Sequence, residues 1–126
     1  FLVTLAGTDI NDIIFPTQNS GNWLYACRLM LAGAITTGGG GFTQGEGFLY
    51  EYRFVIANNG GTVALVGSVV TVGTDIESAS LSTTAVAITA DDTNNMLQIQ
   101  VTPPAGLTGG PELSVLGKLE IMELAL

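Results

Sequence analysis

The sequence contains no histidine, a single cysteine and only three cations, Arg28, Arg53 and Lys118, in 126 residues. Each shortage excludes a class of chemistry. Without histidine, serine–histidine and cysteine–histidine catalysis and most transition-metal centres have no base or ligand to use. A lone Cys27 rules out intramolecular disulfides and argues against a stapled secreted scaffold, leaving a buried, inert thiol as its expected state. Three cations against eleven acids give a net charge of −8, so nothing here can track a phosphate backbone, and nucleic acid is not an expected partner.

Charge of either sign is scarce. Charged residues make up 11% of the chain, against roughly 25% in an average soluble domain. Yet 47% of it is apolar and the mean hydropathy is +0.48. No uninterrupted apolar run reaches the roughly 18 to 20 residues of a spanning helix. The longest, Trp23 to Ile35, is shorter and carries Arg28 and Gly33. An outer-membrane barrel fits poorly too, because the strands are few and aromatic girdles are missing. With the membrane set aside, burial against other subunits is the expected use of the excess apolar surface. The opening Phe-Leu-Val-Thr has no initiator methionine and no charged n-region, so no signal peptide is read, and a start at Phe1 suggests a fragment or processed chain.

What is present is period-two alternation. In Thr83 to Val101, Val86 and Ile88 share one face of a first run, and Leu97, Ile99 and Val101 share one face of a second. Between them Asp91, Asp92, Thr93, Asn94 and Asn95 have the short side chains of a reversal, which predicts a hairpin. Trp23 to Ile35 reads as a central strand, with Trp23, Tyr25, Cys27, Leu29 and Leu31 on one face and Leu24, Ala26, Arg28, Met30 and Ala32 on the other. Phe48 to Ala57 sets Phe48, Tyr50, Tyr52, Phe54 and Ile56 against Glu51 and Arg53, and Asn58-Asn59-Gly60-Gly61 predicts a tight turn into Thr62 to Val72. Phe1 to Ala6, Ile13 to Phe15 and Leu113 to Leu126 supply further strands. Thr36 to Gly47 reads as a flexible glycine-rich loop, and Thr102 to Glu112, with three of the four prolines, as irregular chain. About eight strands and no helical periodicity predict one all-β domain over residues 1–126, an antiparallel, jelly-roll-like β-sandwich.

Candidate sites are few. Asp91 and Asp92 with Asn94 and Asn95, or Asp9 and Asp12 around Asn11, offer oxygens of the kind calcium takes, but they lack EF-hand spacing and read first as turn formers. Glu120 and Glu123 fall on opposite faces of one strand and cannot pair as a glycosidase dyad. The tetraglycine Gly38 to Gly41 lacks the lysine and hydroxyl of a phosphate loop. No metal, cofactor or catalytic residue is expected. Tyr50, Tyr52 and Phe54, or Trp23, suit a sugar-stacking platform in a receptor- or carbohydrate-binding tip, though at period two they read first as core. Met30, Met96, Met122 and Leu124 lie on the second faces of their strands, and as soft apolar residues they are the expected contacts with sister subunits.

The order of these pieces resembles a module of tailed-phage virion appendages: Thr62 to Gly67 (TVALVG), Ala90 to Asn95 (ADDTNN), Leu97 to Thr102 (LQIQVT), then the closing strand Leu113 to Leu124. Upstream, Thr8 to Phe15 and the long strand after it are similar as well. The chain departs from that pattern in its long Thr102 to Glu112 loop and in having no tryptophan after Trp23. The resemblance implies a non-enzymatic β-sandwich of a tail fibre, head fibre or capsid-decorating protein, located in the virion, commonly trimeric and in contact with other virion proteins.

Overall fold

The computed structural model describes residues 1–6, 11–17 and 21–126. Asp9, and with it the Asp9–Asp12 reading, lies outside the described residues. The strands are β1 (Leu2–Ala6), β2 (Asn11–Pro16), β3 (Asn22–Thr37), β4 (Gly47–Asn59), β5 (Thr62–Leu65), β6 (Val70–Thr71), β7 (Ile76–Glu77), β8 (Ala85–Asp91), β9 (Met96–Thr102) and β10 (Glu112–Ala125). Eight of these have four residues or more, matching the strand count read from the sequence. The one helical element among the described residues is a 3₁₀ turn, Ala79–Leu81.

Two open antiparallel sheets form a β-sandwich. The larger runs β1-β10-β3-β4-β5, with β6 and β7 also paired to β4, and the smaller runs β2-β9-β8. Alternation decides which side chains meet between them. Tyr25, Cys27, Leu29, Leu31 and Ile35 of β3 are buried, as are Phe48, Tyr50, Phe54 and Ile56 of β4 and Leu113 and Val115 of β10. Ile88, Leu97, Ile99 and Val101 face them from the smaller sheet. Each aliphatic side chain fully removed from water in this way contributes about 1.5–3 kcal/mol.

Two tight reversals set the register. The β4–β5 turn uses Gly60 and Gly61, at φ 63° and 99°, between the paired residues Asn59 and Thr62. Both central positions therefore need left-handed backbone, which glycine adopts without a Cβ penalty. The expected Asn-Gly signal is thus shifted by one residue, and Asn59 stays in the strand. The β8–β9 turn places Asn95 at φ 55°, and the Asp91 carboxylate accepts from the Asn94 amide N–H (3.1 Å) and from its Nδ2 (2.7 Å). These bonds hold the Asp91 carboxyl below its ordinary range.

A polar clasp ties the turns of the two sheets together. Asn58, fully buried, accepts at Oδ1 from the Gly61 N–H (2.8 Å) and donates from Nδ2 to Thr17 Oγ1 (3.1 Å). Thr17 donates in turn to the Asn95 carbonyl (2.8 Å), and Asp92 Oδ1 accepts from the Val63 N–H (2.6 Å). A buried amide is tolerated because its donor and acceptor are both matched.

The glycine-rich loop is not the flexible segment that its composition suggests, and the proline-rich one, irregular as expected, is packed against the core. In residues 38–46, Gly39 and Phe42 exchange main-chain bonds at 2.9 Å, and Glu46 Oε2 accepts from the Thr43 N–H at 2.8 Å. Phe42 is buried, and so are Leu107, Pro103, Pro104 and Pro111 of residues 103–111. The loops also touch each other. A Cβ on Gly40 would stand 2.8 Å from the Thr108 carbonyl oxygen, so glycine there permits the close approach. Glycine and proline thus shape an ordered cap over one end of the core.

Candidate functional site

The residues left over from the core assemble on the outer face of the larger sheet. Register stacks them in rows across β10, β3 and β4: Leu116, Ala32 and Leu49; then Lys118, Met30 and Glu51; then Glu120, Arg28 and Arg53; then Met122, Ala26 and Val55; then Leu124, Leu24 and Ala57. The rows at either end are apolar. Met122 is 75% exposed, Leu116 59% and Leu124 57%, while single scattered apolar residues are ordinary on a surface but contiguous rows are not.

All three cations of the chain sit in the middle of this face. Arg28 Nε donates to Glu51 Oε1 at 2.6 Å, and Lys118 Nζ lies 3.0 Å from Glu120 Oε1. Glu51 raises the Arg28 pKa, mainly through that hydrogen bond, and Lys118 lowers that of Glu120. Arg53 stands directly across from Arg28 and has no ion-pair partner among the described residues. It borders a groove of about 570 Å³ floored by Ala26, Arg28 and Val55 and walled by Val66, Val70 and Met122. Like charges placed directly opposite each other are mutually destabilising. The acidic remainder of the molecule therefore contrasts with a face that is apolar at its ends and cationic at its centre.

Met30, Met122 and Leu124 are brought together on this face, whereas Met96 is not. It lies on β9, in the smaller sheet, with alternation turning it away from Leu97 and Ile99. Each methionine was assigned to the second face of its own strand, and strand order alone decides that these second faces belong to opposite sides of the sandwich. Leu116, Leu49 and Val70 belong to the same surface and were missed. Alternation on β10 and β4 carried the signal for the first two, but only the neighbouring strands make them one patch.

Of the aromatic residues proposed as a platform, Tyr50 and Phe54 are interior, and Trp23 is partly buried against the core. Tyr50 is buried, stacks on Phe48 with ring centroids 4.3 Å apart, and donates its hydroxyl to Glu77 Oε2. Tyr52 is partly buried against the same core. Burial, with Asp75 and Glu77 nearby, pushes the Tyr52 phenol up to about 12, and burial with the Glu77 bond pushes Tyr50 up as well. Folding here favours the neutral phenols, so their contribution to stability is present below their unfolded pKa of about 10. It is lost as pH rises from there through the folded values. Absorbance at 295 nm should accordingly show Tyr50 and Tyr52 ionising only with alkaline unfolding, above about pH 10. A simple titration of Tyr50 and Tyr52 near 10 in the folded protein would contradict the buried geometry.

Cys27 is buried, and burial raises its thiol to about 11, consistent with an inert side chain. No group of three or more histidine, cysteine, aspartate or glutamate side chains able to hold a metal ion occurs among the described residues. The carboxylates of the β8–β9 turn are engaged with Asn94 and Val63, as turn chemistry requires. No helix of the described chain is long and apolar enough to cross a membrane.

No family model matches the chain, and no curated protein matches it. Among solved structures, the Acinetobacter phage vB_ApiP_P1 tailspike protein is similar, at 16% identity and a TM-score of 0.37, over 95% of this chain and 20% of the tailspike. The chain thus spans about a fifth of that protein's length. This is a weak likeness to a phage tailspike, and no residue's role is transferred from it.

Proposed function

We propose that this chain is a non-enzymatic structural module of a phage virion, a single β-sandwich domain of a tail or head fibre or of a capsid-decorating protein, that associates with sister subunits. The resemblance carried by TVALVG, ADDTNN and LQIQVT supports the virion setting. The observation that carries self-association is the outer face of β10, β3 and β4, where apolar rows flank the chain's three cations. Such a face gains free energy when a second surface covers it, and Arg53 can take a carboxylate from an acid-rich neighbour.

Size-exclusion chromatography with light scattering should show an oligomer at tens of micromolar that strengthens as salt screens repulsion between chains of charge −8. Leu116→Glu and Leu49→Glu should each shift it towards monomer by tenfold or more in Kd, since each places a charge in an apolar row. A wild-type monomer at every accessible concentration would overturn the self-association reading. Cross-linking mass spectrometry on assembled particles tests the virion setting through links between identical peptides of this chain.

A further inference from the structure

The outer face of the larger sheet has a pattern that repeats, with charges reversed, on either side of one row. That row is Leu119, Leu29 and Tyr52, paired across β10, β3 and β4 with its side chains turned to the core. On the outer face Lys118 and Glu120 flank it on β10, Met30 and Arg28 on β3, and Glu51 and Arg53 on β4. Each acid thus has a cation as its counterpart. One row further out both sides are apolar, with Leu116, Ala32 and Leu49 answering Met122, Ala26 and Val55. The margin beyond β4 keeps the symmetry. Ile76 pairs with Leu49, and the Val66 N–H donates to the Val55 carbonyl at 2.8 Å, so two exposed aliphatic side chains sit equally far from the row.

Resting on the self-association reading and narrowing it to one partner surface, we infer that this face packs on the same face of a second copy. The two sheets lie strand over strand in opposite directions, about a two-fold axis that crosses the strands above the row Leu119, Leu29 and Tyr52. Such an axis sets each residue against its counterpart on the same strand. Arg53, without an ion-pair partner among the described residues, then meets Glu51 of the second copy, and Lys118 meets its Glu120. Glu51 already accepts from Arg28 at 2.6 Å, and its carboxylate has lone pairs for a second guanidinium. Arg28 meets Met30, so no like charges are opposed. Leu116 falls on Met122 and Leu49 on Val55, while the small Ala26 and Ala32 between them leave room for these side chains to interdigitate, as facing sheets require.

Neighbouring placements of the axis are worse. Above the row of Arg28, or that of Met30, each charge meets itself in the second copy, which a desolvated interface strongly disfavours. Above the row Gly117, Leu31 and Tyr50, Lys118 and Glu51 are driven onto Leu116 and Leu49, burying charge against apolar surface. Above the row Ile121, Cys27 and Phe54, Glu120 and Arg53 suffer the same fate. An axis running along β3 does match Glu120 with Arg53 and Lys118 with Glu51, but it stacks Arg28 on Arg28. Charge complementarity therefore selects one arrangement.

The test is charge-swap complementation between two full chains, followed by sedimentation velocity. Arg53→Glu brings two carboxylates together at both symmetry-related contacts, and Glu51→Arg brings two guanidiniums together. Each chain alone should therefore pair about tenfold or more weakly than wild type. An equimolar mixture restores opposite charges at both contacts and should recover most of the wild-type affinity as a heterodimer, with circular dichroism confirming that both chains are folded. A second readout needs no variant, because Lys118 is the only lysine of the chain. Carbodiimide coupling of mixed isotope-labelled and unlabelled wild-type chains should join Lys118 of one to Glu120 of the other. If the mixture of folded variants stays monomeric while wild type pairs, or if the isotope-crossed link runs to Glu51, this arrangement is wrong while self-association stands. Rescue of Arg53→Glu by Glu120→Arg instead of Glu51→Arg would place the axis along β3 and overturn it too. Single variants that pair as tightly as wild type would move self-association to another surface. A wild-type monomer removes both readings.

Discussion

Replacing Leu107 by alanine is expected to lower stability by about 2–5 kcal/mol, the range for emptying a fully buried leucine site. Leu107 is 1% exposed although it lies in a proline- and glycine-rich loop. Composition reads this stretch only as irregular chain, and on an exposed loop the same change would be worth no more than about 0.5 kcal/mol. The structure instead makes its side chain part of the buried core cluster that also holds Phe42 and Leu113. Urea unfolding distinguishes these cases. With a slope of about 1–3 kcal/mol/M, a loss of 3 kcal/mol moves the midpoint by roughly 1 to 3 M. A midpoint unchanged within error would return the loop to the solvent.

Gly33→Ala is expected to be nearly as damaging, towards the upper end of the roughly 1–3 kcal/mol seen when a packed core is overfilled. A Cβ at Gly33 would stand 2.2, 2.5 and 2.9 Å from three ring carbons of Phe48, the residue paired with it on β4. The ring cannot step aside freely because it is stacked on Tyr50. Backbone conformation is not the obstacle, since Gly33 is ordinary extended chain; the space is already occupied. In a Phe48→Leu background the same change should therefore cost much less, giving a coupling of about 0.5–3 kcal/mol between the two sites. Additive effects would show that the ring over Gly33 is not what makes the glycine necessary.

The fold class, the strands and most of the inward side chains follow from alternation, because in extended chain the side-chain period is two whatever the neighbours are. That was enough to place Phe54, Leu97, Ile99 and Val101 in the core and to group Leu29 with Leu31 on one face of β3. It was also enough to identify the β8–β9 and β4–β5 reversals, whose strands are joined by a few residues. Local chemistry further settled Asp91 as a turn former, since its partner Asn94 is three residues away.

The candidate site was legible only in pieces. Met30, Met122 and Leu124 were each recognised as outward apolar residues, but a sequence cannot say which strand lies beside which when the connection is long. The adjacency of β10 to β3, with partners about ninety residues apart, unites them, joins Leu116, Leu49 and the three cations to the patch, and sends Met96 to the other sheet. Loop composition was misleading for a related reason. Glycine and proline specify which backbone angles are possible, whereas the burial of Phe42 and Leu107 depends on the end of the sandwich they cover. The clasp through Asn58 and Asp92 likewise exists only because two turns from different sheets meet. Sequence alone thus determined which side chains share a face, a property of the extended backbone. Tertiary structure decided which faces share a surface, because strand order is set by free energies summed over contacts between distant parts of the chain.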